Sequence, residues 1–252
     1  MLSTRQIVEV FHLQFLRAFG ARVDKRLYAL KGGCNLRFFF RSVRYSEDMD
    51  LDVRTISVGT LQNNVERVLE GTPFRHSLRT HGIEITDVSA PKQITTTQRW
   101  KISLHATEVG GQVPTKIEFS RRGLEGATAV EAVEAEILRA YRLYPVFVQH
   151  YSIHTAFAQK VAALALREQV QSRDIFDLGL LLAAGAGGHP LPASVSGLIV
   201  PAIDHALAVT HAAFVAQVVS YLDPEFHAVY AHREAWDTLQ TTVVDALQAL
   251  GP

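Results

Sequence analysis

The stretch LKGGCNLRFFFRSVRYSEDMDLDV, residues 30–53, holds a glycine pair, three arginines and three aspartates spaced two apart. Side chains of a strand alternate between its two faces. Asp48, Asp50 and Asp52 would therefore project together while Met49, Leu51 and Val53 enter a core. Carboxylates lined up that closely repel one another unless a cation sits among them. This conflict is the starting point for the fold and for the chemistry.

Outward from it, Tyr28–Lys31 reads as a short strand, Gly32-Gly33 as a turn, and CNLRFFFR as the opening of a helix. Ahead of the strand, Ile7, Val8, Phe11, Phe15, Leu16 and Phe19 recur at helical spacing over residues 4–19. Behind it, residues 57–70 read as a helix that Ser57 caps, with a stripe of Leu61, Val65, Val68 and Leu69. Residues 82–89, 96–107 and 114–120 are strand-like, the last alternating through Ile117 and Phe119.

Past residue 125 the character changes. TAVEAVEAEIL is a short helix or linker, residues 185–192 a loop, and helices fit about residues 194–221 and 232–249. The expected class is α/β (α+β): a mixed sheet with flanking helices over residues 1–125, then an α-helical domain over 126–252.

Aspartates two apart at a strand end, preceded by a glycine turn, suit Mg2+ (or Mn2+), which takes a few carboxylates and keeps water and substrate oxygens as its other ligands. Such ions neutralise phosphate charge and activate an attacking hydroxyl. Glu118 either adds a third carboxylate from a neighbouring strand or pairs with Lys116 or Arg121. The plain alternative for Asp-x-Asp is a solvated strand edge.

Composition narrows the class. With 252 residues, 48% of them hydrophobic, the chain can bury a sizeable core. Its longest apolar runs are too short to span a bilayer, and residues 1–20 lack a signal-peptide pattern. The single Cys34 excludes an internal disulfide. A soluble cytoplasmic protein is expected. The net charge of zero hides an asymmetry. Residues 1–173 carry 24 Lys and Arg against 17 Asp and Glu, and residues 174–252 carry one against eight. A basic first part rich in arginine suits a polyanionic partner.

Other signals fall away. His150 and His154 have helical metal spacing but no accompanying glutamate, and no P-loop glycine pattern occurs. Cys34, beside three aspartates, is expected to keep a high pKa and to be a poor nucleophile. The aromatics of RFFFR read as packing.

Two ordered blocks resemble the AbiEii/AbiGii-type nucleotidyltransferase toxins of the DNA polymerase β-like superfamily. The first is Lys31-Gly32-Gly33-Cys34, Leu36, then Arg44-Tyr45-Ser46-Glu47-Asp48-Met49-Asp50. The second is Lys160, Ala163, Arg167, then Arg173-Asp174-Ile175-Phe176-Asp177. Together they cover about residues 26–185. Cys34 departs from the family's threonine or serine.

The resemblance implies a minimal nucleotidyltransferase sheet in which Asp48 and Asp50, with Glu118, hold metal. It implies that Lys31, Gly32 and Gly33 meet the triphosphate of an NTP substrate, with Lys160 and Asp174 acting from the second block. Ser46 bonds a phosphate or braces the turn, and Arg44 pairs with an acid or touches substrate. The implied acceptor is RNA, the 3′ end of transfer RNA, and the implied setting is the toxin of a toxin–antitoxin or phage-defence pair with a cognate antitoxin. A protein or small-molecule hydroxyl as acceptor, and a catalytically silent partner-binding module, are the alternatives.

Overall fold

The computed structural model describes residues 1–107 and 109–251. They divide into two compact units: residues 1–39 with 45–151, and residues 40–44 with 152–251.

The first unit runs α1 (Thr4–Gly20), β1 (Tyr28–Lys31), α2 (Gly32–Phe39), β2 (Asp48–Val53), α3 (Val58–Leu69), α4 (Thr72–Arg79), β3 (Ile83–Gln93), β4 (Thr97–Ala106), β5 (Val109–Ser120), β6 (Thr128–Ala132), α5 (Ala135–Ala140) and β7 (Phe147–Tyr151). Its strands form one mixed sheet in the order β3-β4-β5-β2-β1-β7-β6. β2 lies near the centre, antiparallel to β1 and parallel to β5.

Local sequence explains most of these elements. Ser3 caps α1 by accepting from the Gln6 N–H while the Gln6 side chain accepts from the Ser3 N–H. This reciprocal box satisfies two amides that a helix start leaves open. Phe11, Phe15 and Phe19 follow at helical spacing and are fully buried, with Phe15 and Phe19 stacked at 5.5 Å. The core they enter holds Met49 and Leu51 of β2 and Ile117 and Phe119 of β5. Each such large side chain contributes about 1.5–3 kcal/mol on burial. That core fixes one face of β2 and leaves the aspartates to the other.

Three elements of this unit differ from the sequence expectation. Residues 128–132 are an edge strand, because pairing of Thr128 with Tyr151 and of Val130 with Gln149 overrides weak local propensity. α4 follows directly on α3, its Pro73 accommodated in the first turn. The strand from Ile83 extends through Gln93.

The second unit is helical: α6 (Ile153–Leu166), α7 (Ser172–Ala183), α8 (Ala193–Ser196), α9 (Ile199–Ala208), α10 (His211–Gln217), α11 (Pro224–Tyr230) and α12 (Arg233–Leu250). The helix expected over 194–221 is broken. Thr210 caps a new start by accepting from the Ala213 N–H. α7 and α12 approach closely at Gly179, where a Cβ would lie 2.2 Å from Leu239 Cδ1. Among the described residues no single helix is long and apolar enough to cross a membrane.

Candidate active site

The alternation of β2 places Asp48, Asp50 and Asp52 on one face of the sheet, and the register of its neighbours decides what they meet. Asp50 lies opposite Lys31 of β1 and opposite Glu118 of β5, and Glu118 in turn lies opposite Arg99 of β4. One step along, Asp48 lies opposite Lys116. Four carboxylates and three cations thus share this polar face, leaving an excess of negative charge.

The carboxylates are not equivalent. Asp52 is buried and doubly engaged, by Lys31 Nζ at 2.6 Å and by the Tyr151 hydroxyl, which donates at 2.8 Å. Asp48 meets Lys116 Nζ at 3.1 Å. Glu118 is paired with Arg99 at 2.6 Å and stands 4.0 Å from Lys116. Arg121, the other partner considered for Glu118, donates instead to Gln98 and to the Ile56 carbonyl. Asp50 makes no ion pair and no side-chain hydrogen bond among the described residues.

Burial pushes the Asp50 carboxyl above its ordinary pKa, and Glu118 and Asp48 push the same way; Lys116 and Lys31 oppose them without prevailing. A carboxylate in this condition binds either a proton or a further cation. The donor set of carboxylate oxygens is the hard kind that magnesium takes. Among the described residues no three His, Cys, Asp or Glu side chains form a ready-made cation cage. The half-exposed Lys116–Asp48 pair is worth at most about 1 kcal/mol and is a weak competitor.

The glycine pair begins α2 directly behind this carboxylate. Gly32 has φ +64°, the left-handed region, and a Cβ there would lie 3.4 Å from Asp50 Oδ2. Gly32→Ala is expected to lower stability by about 1–2 kcal/mol from backbone strain, and to lower activity further by crowding Asp50. Urea titration beside a turnover assay separates the two effects. Cys34, next in line, is buried, and burial pushes its thiol far above the ordinary value, so it is not a nucleophile. The Ser46 hydroxyl donates to the Asp48 carbonyl at 2.8 Å, bracing the turn.

The second block lies in the helical unit and forms its own ionic cluster. Arg44 makes a forked contact with Asp177, at 3.2 Å from Nε and 2.9 Å from Nη2. Lys160 Nζ sits 2.9 Å from Asp174 and 2.7 Å from Asp177, and Arg167 Nε lies 2.8 Å from Asp174. Asp174 and Asp177, three apart on α7, are both fully buried. Three cations face two carboxylates, so this cluster carries an excess positive charge. Burial pushes the Asp177 carboxyl up, but Arg44 and Lys160 outweigh it and hold it below the usual range. Burial pulls Lys160 down, and Asp177 and Asp174 more than reverse this.

His150 packs against α2. His150 stacks on Phe39 at 3.6 Å and lies within hydrogen-bond reach of Asn35. A cavity of about 300 Å³ lined by Glu66, Glu70, Arg75, Asp87 and Trp100 includes none of the acid row. Sequence reading missed Arg99 and the engagement of Asp52. Both depend on strand register, and only the shared parity of Lys116 and Glu118 gave a signal.

Residues 14–245 match the family described as nucleotidyl transferase AbiEii toxin, type IV toxin–antitoxin system, and the chain belongs to that family. It is therefore a nucleotidyltransferase of the toxin class.

Solved structures share the fold at low identity. The nucleotidyltransferase toxin MenT4 of Mycobacterium tuberculosis superposes with a TM-score of 0.60 at 14% identity, covering 100% of both chains. A putative nucleotidyltransferase from Helicobacter pylori gives 0.59 at 18% identity, also covering 100% of both chains. JHP933 from Helicobacter pylori gives 0.58 at 17% identity over 99% of this chain and 96% of that one. No curated protein sequence matches.

Proposed function

We propose that this toxin is a magnesium-dependent enzyme that transfers a nucleotide from an NTP to the 3′ end of an RNA, transfer RNA above all. The observation that carries this reading is Asp50, a partly buried carboxylate with a raised pKa and no cation of its own in a field of excess negative charge. Asp48 and Asp50 would hold magnesium, with Glu118 released from Arg99 as a third ligand. When bound, the ion would screen the triphosphate and lower the pKa of the attacking hydroxyl. The chain's own residues do the rest. Gly32 and Gly33 leave room for phosphate oxygens beside Asp50 and the start of α2. Lys31 holds Asp52 apart from the pair that binds metal. Lys160, in a cluster with spare positive charge, is the proposed partner of the triphosphate, and Asp174 orients it. The acceptor hydroxyl forms a bond to the α-phosphorus as the bond to pyrophosphate breaks.

An RNA acceptor is supported by the excess of arginine and lysine in residues 1–173, and its binding should weaken steeply with salt. A block of RNA 3′ ends would arrest translation, the action expected of a toxin held in check by a cognate antitoxin in a toxin–antitoxin or phage-defence pair.

The test supplies purified protein with total transfer RNA, magnesium and each labelled triphosphate in turn. Label entering the RNA supports the proposal and identifies the nucleotide. Label in a protein or small molecule would overturn the RNA acceptor while leaving the chemistry intact. No label in any acceptor would favour a silent binding module.

A further inference from the structure

A buried polar chain runs beneath the start of β2. The inward row of β5 reads Val113, Thr115, Ile117 and Phe119, and Thr115 is its one polar member, 5% exposed. Facing it from α1 is His12, fully buried, its Nε2 2.9 Å from Thr115 Oγ1. Polar groups in such a place cost stability unless every one is bonded, so the direction of each bond matters.

The Thr115 hydroxyl donates its one proton to the Glu47 carbonyl at 2.7 Å. Toward His12 it can only accept, so Nε2 carries the ring proton. Burial pulls the His12 pKa down to about 3, so the ring is neutral and Nδ1 is left as an acceptor. Cys34 Sγ lies 3.6 Å from that Nδ1 and 3.3 Å from the Asp48 carbonyl, which also accepts from Ser46. Donors from α2, β5 and the preceding turn therefore converge on two successive carbonyls, Glu47 and Asp48, and His12 of α1 holds the Thr115 hydroxyl that makes one of these bonds. His12 lies before the residues that match the family.

We infer that Thr115, oriented by His12, is a positioning residue that fixes the backbone of Glu47 and Asp48 and thereby aims the Asp48 carboxylate beside Asp50. The inference rests on the metal-binding reading of the acid row. Outer partners that orient a metal ligand commonly govern affinity and rate as strongly as 10–100-fold. Aimed carboxylates matter to the ion more than to the nucleotide, which sets the expected pattern.

The experiment measures manganese affinity without nucleotide and beside a non-hydrolysable nucleoside triphosphate, by titration calorimetry, together with kcat and KM for the triphosphate. Thr115→Val is compared with Thr115→Ser. Ser46→Ala is added because it removes a part-exposed bond to the Asp48 carbonyl without opening the core, and remains readable if Thr115→Val does not fold. Expected are a roughly 10-fold or greater loss of manganese affinity and of kcat in Thr115→Val, a loss in the same direction in Ser46→Ala, unchanged KM, and near-complete rescue by Thr115→Ser. Unchanged manganese affinity in the folded variants, or no rescue by serine, overturns the inference. A wild type that binds manganese but transfers nothing sinks the transfer reading alone, and manganese affinity then decides this one. A wild type that binds manganese neither alone nor beside a non-hydrolysable triphosphate overturns both.

Discussion

Asp50→Asn is expected to abolish nucleotide transfer, by about 10³-fold or more, while leaving the fold intact. A metal at a phosphoryl centre supplies several kcal/mol of charge stabilisation, and each 1.36 kcal/mol is tenfold in rate. Asparagine keeps the shape but loses the charge that would hold the ion. Stability should not suffer, because the folded pKa of Asp50 is raised. The unfolded chain then binds fewer protons than the folded one between the two pKa values, so stability falls as pH rises through that window. Above that window the charged Asp50 costs stability, and the neutral variant is relieved of that cost. A urea midpoint equal to or above wild type, with transfer lost, is the expected pair of results. Transfer within tenfold of wild type would remove Asp50 from the catalytic site.

Asp177→Ala is expected to be among the most destabilising single changes in the chain, at about 3–5 kcal/mol, because it removes the forked partner of Arg44 and one of the two carboxylates that hold Lys160, leaving buried positive charge uncompensated. Both cations lie within 3.0 Å of that carboxylate. The contrast is the Arg233–Asp237 pair of α12, whose side chains are both at least half solvent-exposed. Asp237→Ala should cost no more than about 0.5 kcal/mol. The two variants differ in burial rather than in ion-pair distance, so urea titration of both isolates what burial contributes.

The same cluster has a pH signature. The Asp177 carboxyl sits below its ordinary value, so its stabilisation is complete above that value and is lost as pH falls through the lowered one. Lys160 is raised, so its contribution persists up to its ordinary value and fades only as pH rises through the folded one.

The central strand was legible because Met49, Leu51 and Val53 alternate with aspartates, a pattern of period two that only a half-buried strand satisfies. Glu118 was legible as a neighbour for the same reason, through Ile117 and Phe119. What could not be read was register. Asp50 opposite Glu118, Arg99 opposite Glu118 and Tyr151 at Asp52 are each fixed by long-range strand pairing. The Asx-like spacing of the row gave no sign that Asp52 is consumed by Lys31 and Tyr151. His12 was hidden for a different reason. On an apolar helix face a histidine reads as one more core residue, and its bond to Thr115 joins positions 103 apart in sequence. Residues 128–132 were misjudged because an edge strand with Glu131 exposed carries little hydrophobic signal.

The most direct measurement is anomalous diffraction from crystals grown with manganese and a non-hydrolysable nucleoside triphosphate. The account predicts a manganese peak at the carboxylates of Asp48 and Asp50. Triphosphate bound with no manganese at those two aspartates, or manganese bound elsewhere in the chain, would contradict it.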